Sequence, residues 1–445
     1  VNQYLVRSTV VGALGGLLFG FDTAVISGTT AQLTQVFALS HATLGVTVSI
    51  ALAGTVIGAA SSGILGQRLG GREALRIMAV LYLASAIGCA FSWNWPSLLA
   101  FRFLGGLGIG GSSVLAPVYI AEMAPANLRG RLVGMFQINI VVGILLAYAS
   151  NFALASHFAA QATNAATWRW EFGVAAFPAA IFFVLLFTIP QSARWLVTRN
   201  RAEEARGVLQ LLGTPDADAE LRDIQASIHF ERSTLHEPLF QKKYLFPIGL
   251  AIAIAAFNQL SGINAILYYA NDIFAQAGFS RASGDLQAVL IGAVNLLFTL
   301  IGMALIDRVG RKTLLLAGGV GMALALSGVG FIFFFHAHQN LLVWMLMGFI
   351  ASFAVSQGAV VWVYLSEIFP NRVRAKGQSL GSLTHWVMNG LISLTFPSLR
   401  MLGRGSLPFF FFAACMVVML VVVAGAFPET KGLSLEQLQR KLKIA

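Results

Sequence analysis

The stretch Gly15-Gly-Leu-Leu-Phe-Gly-Phe-Asp22-Thr-Ala-Val-Ile-Ser-Gly28 sets a carboxyl inside an apolar segment running from residue 8 to residue 27. A segment of about 20 such residues spans the ~30 Å hydrocarbon core of a bilayer as a helix. An acid there costs on the order of 3 kcal/mol on insertion scales, so it faces a polar cavity, has a partner or carries protons. A helix-packing hydrogen bond is the plainer alternative. The rest of the chain is the setting for that group.

Composition makes the setting a membrane. Of 445 residues, 57% are hydrophobic and only 11% charged, with a mean hydropathy of +0.77. Apolar spans are predicted over 8–28, 44–66, 74–92, 98–121, 131–153 and 170–189, then 245–270, 286–306, 313–335, 341–366, 377–397 and 407–427. The expected fold is therefore an all-α membrane protein of twelve transmembrane helices in two six-helix pseudo-repeats, with short cytoplasmic helices between the halves. The first span is followed by others, so it is expected to be retained as a helix rather than removed as a signal peptide. Expected domains are an N-terminal six-helix bundle over 1–190, a helical linker over 191–243, a C-terminal bundle over 244–428 and a terminal helix over 429–445 started after Pro428.

The net charge of +11 suggests nucleic acid only in a soluble protein; here the basic residues segregate by loop. Alternate loops carry Arg68, Arg72 and Arg76; Arg129 and Arg131; the 194–243 segment; Arg308, Arg311 and Lys312; and Arg372, Arg374 and Lys376. The intervening loops hold little beyond Arg169, Arg281, Arg400 and Arg404. The positive-inside rule puts both termini and the linker in the cytoplasm.

An internal repeat sharpens this picture. Glu122-Met-Ala-Pro125 with Arg129 and Arg131 recurs as Glu367-Ile-Phe-Pro370 with Arg374 and Lys376, shifted by 245 residues. Arg68-Leu-Gly70-Gly-Arg72 recurs as Arg308-Val-Gly310-Arg-Lys312, shifted by 240. Two parallel halves of this kind imply a substrate site near the midplane. The basic turns are expected to hydrogen-bond helix C-terminal carbonyls, pair with Glu122 or Glu367 and hold a cytoplasmic gate shut; positive-inside signalling alone is the alternative.

Inside the spans, Arg102 needs an anion, and Asp22 is the acid that reads as comparably deep in the same half, so the two are expected to pair. Snorkelling of Arg102 to the outer interface is the alternative. Asn258-Gln259-Leu-Ser-Gly262-Ile-Asn264 sets neutral amides in span seven, and Gln259 and Asn264 reach one cavity if Gly262 breaks the helix. Gln137, Asn295 and Asn389 extend the set. Amides offer both donor and acceptor and suit a neutral polyhydroxy ligand, although any one of them also serves as interhelical glue. Trp362 and Trp386 lie inside spans, where a ring can stack on a sugar face or pack against lipid, and His385 stands beside Trp386.

Other features read as bland. Gly106-Leu-Gly108-Ile-Gly-Gly111 interrupts a span with no preceding strand, so its glycines serve close helix approach rather than a dinucleotide. Cys89 and Cys415 are small core residues, and His336-Ala-His338 lacks a third ligand, so no metal, cofactor or disulfide is expected.

These residues together resemble the sugar porter family of the major facilitator superfamily over essentially the whole chain. The likeness is carried by Gly15–Gly28, Arg102-Phe-Leu-Gly-Gly-Leu-Gly, Tyr119-Ile-Ala-Glu122-Met-Ala-Pro125, Gln259-Leu-Ser-Gly-Ile-Asn264, Asp307-Arg-Val-Gly-Arg-Lys312, Ser366-Glu-Ile-Phe-Pro370 and Pro428-Glu-Thr-Lys-Gly432. The look is nearest to bacterial proton-coupled xylose and hexose symporters. The resemblance implies a proton site at Asp22 with Arg102, and sugar contacts from Gln137, Gln259, Asn264, Asn295, Trp362 and Trp386, with Phe19 against the ring; His385 and Asn389 are added from position. It implies a gate of Arg68, Glu122, Arg129, Arg131, Arg194, Asp307, Arg308, Arg311, Glu367 and Arg374. The expected protein is a monomeric, multi-pass bacterial inner-membrane symporter of a monosaccharide and a proton, surrounded by lipid, without nucleic acid or enzymatic chemistry. An uncoupled carrier and a non-transporting sugar sensor are the alternatives.

Departures from the family pattern are Gln67 for an Asp, Gln191 and Ala193 in the turn after span six, Asn258 for a Gln, and Ala359 for a Pro before Trp362. Ile144, where glucose facilitators also have Ile, leans the substrate towards a hexose.

Overall fold

The computed structural model describes residues 2–125, 128–159, 166–234, 237–370, 372–433, 437–438, 441–442 and 444. Of the terminal helix expected over 429–445, residues 434–436, 439–440, 443 and 445 lie outside them. Every regular element among the described residues is helical. The first six spans are α1 (Gln3–Val36), α2 (His41–Leu69), α3 (Gly71–Ala90), α4 (Trp95–Met123), α5 (Arg129–Ala159) and the pair α6 (Thr167–Val174) and α7 (Ala176–Leu185). The linker forms α8 (Ala193–Thr198), α9 (Ala202–Leu211) and α10 (Ala217–Thr234). Span seven is broken into α11 (Leu245–Leu260), α12 (Ile263–Tyr268) and α13 (Ala270–Gln276), followed by α14 (Arg281–Val309) and α15 (Arg311–Phe335). Span ten is α16 (Leu342–Val355) and α17 (Gln357–Glu367), then α18 (Arg374–Leu399) and α19 (Leu407–Ala426) complete the chain.

Eleven segments among the described residues are long and apolar enough to cross a membrane. The remaining span is α18, whose 26 residues suffice in length. Its Gln378, Ser379, Ser382, Thr384, His385 and Asn389 lower its hydropathy, and a span that carries that many polar groups must turn them towards protein or a polar cavity.

Local chemistry sets the boundaries that matter. Asn94 accepts from the Ser97 backbone at 2.8 Å while Ser97 Oγ accepts from the Asn94 backbone at 3.2 Å, a reciprocal cap that starts α4. Gly70 (φ 86°) and Gly310 (φ 100°) stand between α2 and α3 and between α14 and α15, so the repeat seen in sequence is also a repeat of a backbone conformation that favours glycine. Gly262 (φ 81°) breaks span seven. Span ten breaks at Ser356 (φ −106°, ψ −93°), three residues before the position where the family has proline, so the Ala359 departure does not straighten it.

Where α1 meets α5 the helices touch through glycine. A Cβ on Gly20 would lie 1.8 Å from the Ile140 carbonyl oxygen, and one on Gly143 would lie 2.0 Å from that of Leu17. Such small-residue seams are how membrane helices gain dispersion contact without a hydrophobic drive between them.

The chain forms two compact units. One comprises 1–25, 50–150 and 158–235; the other comprises 26–49, 151–157 and 236–445. The linker start is not a free segment: Leu196, Ala205, Val208 and Leu209 belong to the same apolar core as Leu75, Tyr119 and Ile120 of the first unit.

Candidate functional site

In the second unit the break at Gly262 turns α12 so that two amides five residues apart meet. Asn264 Nδ2 donates to Gln259 Oε1 at 2.9 Å, and Gln259 Nε2 donates to Asn258 Oδ1 at 2.8 Å. The same Nε2 stands 3.2 and 3.3 Å from the two ring nitrogens of His385, so the facing ring edge supplies an unprotonated nitrogen as acceptor. His385 in turn lies with its ring centroid 5.0 Å from Trp362 and 5.0 Å from Trp386. Gln259, Asn258, His385 and Trp386 are buried, whereas Trp362 is 39% exposed. Nearby on the same helices, Asn389 Nδ2 donates to the Tyr268 hydroxyl at 3.3 Å and accepts from Ser393 at 3.1 Å.

The structure therefore joins Gln259, Asn264, His385, Trp362 and Trp386 into one cluster drawn from α11, α12, α17 and α18. Asn295 is buried on α14. Phe19 and Gln137 lie half-buried on α1 and α5 of the first unit. Amide donors and acceptors flanked by indole faces match the alternating hydroxyl and C–H surface of a carbohydrate ring.

The first unit holds the charged pair. Arg102 Nη1 lies 3.9 Å from Asp22 Oδ1, with the Arg102 side chain 3% exposed and that of Asp22 23%. That separation is an ion pair without a direct hydrogen bond. The guanidinium also lies 5.5 Å over the Phe172 ring, a cation–π contact that further desolvates it. Asp22 is not the only deep acid of its half: Glu171, on α6, is fully buried. The expectation that Asp22 is the one acid placed deep in that half is thus corrected. In sequence Glu171 follows Trp168-Arg169-Trp170 and reads as a span edge, but Arg169 folds back to donate to the Ala90 and Ser92 carbonyls at 2.8 Å each and draws that turn against α3.

Comparison with known proteins decides what this arrangement belongs to. The profile of the sugar (and other) transporter family matches residues 8–442. The chain belongs to that family. This transporter is 36% identical to the D-xylose-proton symporter of Escherichia coli K12, across 98% of this chain and 96% of the relative. It is 35% identical to a glucose transport protein of Synechocystis, across 98% and 97%. A solved E. coli xylose transporter in an inward open conformation superposes with a TM-score of 0.88 at 34% identity, covering 98% of this chain and all of that one. The transporter is a multi-pass membrane protein and not an enzyme.

Its basic turns show how the two halves solve one problem with different chemistry. In the second half, Glu429 accepts at Oε1 from the backbone N–H of Arg311 (2.9 Å), Thr430 (3.0 Å) and Lys431 (3.0 Å), and at Oε2 from Lys312 (3.0 Å). In the first half, Gln191 Oε1 accepts from Arg72 at 3.1 Å and Ser192 at 3.3 Å, and Nε2 donates to the Leu69 carbonyl at 3.2 Å. Both side chains cap the helix that follows the positive-φ glycine, one with a carboxylate and one with an amide. The Gln191 departure therefore keeps the cap and removes its charge. Partial burial alone would push the Glu429 carboxyl up, but the backbone donors of Lys431, Arg311, Lys312 and Thr430 hold it below the ordinary glutamate value. Its contribution is thus complete above the ordinary glutamate range and is lost as pH falls through the lowered value. Gln191→Glu should add a charge–dipole term of about 0.3–1 kcal/mol at the start of α3. A rise in the melting temperature of the purified variant would register it, and a fall would show that the amide's bond to Leu69 matters more.

Glu367 pairs with Arg311 Nη2 at 2.8 Å, not with Arg374. Arg311 is placed for this by a second contact to Asp307 at 3.1 Å, while Arg374 curls back so that Nε donates to the Phe369 carbonyl at 3.2 Å. Arg129 does likewise with the Ala121 carbonyl at 3.1 Å. Arg131 is exposed at the start of α5. Arg68 and Arg308 contribute their carbonyls, which accept from Arg199 at 2.6 Å and from Lys431. Arg194 Nη1 donates to Ser227 at 3.3 Å.

Proposed function

We propose that this transporter carries a monosaccharide together with a proton by alternating access, with Asp22 as the proton site. The observation that carries the reading is the Asp22–Arg102 pair at 3.9 Å inside a membrane span, in a chain 36% identical to a D-xylose-proton symporter. Gln259, Asn264, His385, Trp362 and Trp386 are the sugar contacts of the second unit; Asn295, Asn389, Phe19 and Gln137 complete the set. Bundles 1–190 and 244–428 are the bodies that move, joined by 191–243, and the basic turns hold the cytoplasmic side closed. The protein works as a monomer in a bacterial inner membrane with both termini in the cytoplasm. Relatives of similar identity are named for xylose and for glucose, so the substrate is a pentose or a hexose, and Ile144 favours the hexose.

Uptake of radiolabelled xylose and glucose into proteoliposomes, with and without an inward proton gradient, tests the reading. Gradient-dependent accumulation is expected; equilibration without accumulation would leave an uncoupled carrier. In the same membranes, Trp362→Ala and Gln259→Ala should each weaken sugar binding by about 5- to 150-fold, the loss of one stacking face or one set of hydrogen bonds worth about 1–3 kcal/mol. Calorimetry showing parent-like affinity in both variants would displace the sugar site from this cluster.

A further inference from the structure

Beside Asp22, on the side lined by α1, α3, α6 and the start of α7, lies a cavity of about 20 Å³ bounded by Leu18, Asp22, Val25, Tyr82, Ser85 and Cys89 among others. That volume admits one water, and a buried water needs two to four polar partners. The lining offers four: the Asp22 carboxyl, two hydroxyls and a thiol.

The two hydroxyls are arranged differently from most in this bundle. Helical serines and threonines here return their proton to a carbonyl one turn back, as Thr23 does to Phe19 at 2.9 Å and Ser92 to Gly88 at 2.8 Å. Ser85 is buried, and its Oγ has among the described residues only a 4.0 Å contact with the Cys89 thiol. It is held in place by α4, where a Cβ on Gly105 would come within 2.4 Å of that oxygen. The Tyr82 hydroxyl is fixed by Ser112 Oγ at 2.8 Å and has the Gly15 carbonyl at 3.5 Å, which leaves a lone pair for a further donor. The carboxyl itself does not reach Arg102 by a direct hydrogen bond.

We propose that this cavity holds one water that makes the proton's last transfer to Asp22, with Ser85 and Tyr82 as its positioning residues. The inference rests on the reading of Asp22 as the proton site. The water takes a proton from the aqueous side, becomes hydronium, and gives one proton to a carboxylate oxygen; an O–H bond forms on Asp22, one breaks on the hydronium, and a neutral water and a neutral acid remain. The ion pair with Arg102 loses its negative member in the same step.

The test uses the full-length protein in proteoliposomes with an internal pH dye, so that sugar-driven proton entry and sugar counterflow are read on one preparation. Ser85→Val and Ser85→Thr each add a methyl that displaces the water, Ala86→Val does so from another lining position, and Ser85→Ala removes the hydroxyl but leaves the space. Proton entry is expected to fall by about tenfold in the two valine variants and in Ser85→Thr with counterflow within about twofold of the parent, and to fall less in Ser85→Ala, with the parent's solvent deuterium isotope effect. Parent-like proton entry in both valine variants beside a dead Asp22→Asn overturns the water alone. Gradient-driven accumulation that survives in Asp22→Asn overturns the underlying site as well. Equal losses of counterflow and proton entry in both valine variants would make the cavity a packing feature and also overturn the proposal.

Discussion

Asp22→Asn is expected to abolish gradient-driven sugar accumulation while leaving sugar binding and sugar-for-sugar exchange. The ionised carboxyl lies 3.9 Å from Arg102, and the two side chains tie α1 to α4. Removing one partner of a buried pair leaves the other uncompensated, so an empty, deprotonated carrier resists any rearrangement that separates them. Asparagine has the shape of the protonated acid and none of its charge, and a protein locked in that state can still reorient with sugar bound. What it loses is the dependence of reorientation on the proton, which is the coupling free energy itself. Uphill uptake should fall to the level of a liposome without a gradient. Counterflow measured on the same vesicles should stay within a few-fold of the parent, and accumulation at parent levels would remove Asp22 from the mechanism.

A change two residues away should act on folding instead. Gly20→Ala puts a methyl 1.8 Å from the Ile140 carbonyl oxygen, inside the 3.0 Å limit that real Cβ atoms respect, so α1 and α5 must part by at least about 1 Å. Backbone cannot swing aside as a side chain would, and overpacking of this kind costs about 3 kcal/mol or more. Gly63→Ala is the matched control: it lies on the exposed face of α2 with nothing within 4 Å, and better helix propensity should make it neutral or stabilising by up to about 1 kcal/mol. Melting temperature and the monodisperse fraction in detergent report both. Equal behaviour of the two variants would mean that the α1–α5 seam has slack that the backbone distances exclude.

Much of this is legible in the sequence itself. Hydropathy is a one-dimensional property, and it located the spans, including α18, whose polar residues are the reason it is the least apolar. The repeat at 240 residues reappears as the paired positive-φ glycines Gly70 and Gly310, because a turn motif and its backbone conformation travel together. The Gly262 break and the meeting of Gln259 with Asn264 followed from an i, i+5 spacing that an unbroken helix does not bring together. Illegible were contacts made across sequence. The repeat placed basic turns to pair with Glu122 or Glu367, but nothing in the spacing says which arginine does so, and it is Arg311 that reaches the Glu367 carboxylate from another helix. Pro190-Gln191-Ser192 and Pro428-Glu429-Thr430 each follow the last span of their half, but their shared capping role is not legible there because the N–H groups they hold lie 119 and 118 residues away. The sorting of residues 26–49 with 236–445 also has no signature in the local pattern.

The reach of Glu429 bears on how the protein is made. The N–H groups it holds at the head of α15 lie 118 residues earlier in the chain, so a ribosome delivers that turn long before its acceptor. Until then the start of α15 has the orphan donors of any helix N-terminus, satisfied only by water or lipid headgroups. A nonsense or frameshift lesion anywhere between the two would release a product with every span up to that point in place and this turn still open. Such a product would carry, at the head of α15, backbone donors that only the segment after the last span can cap.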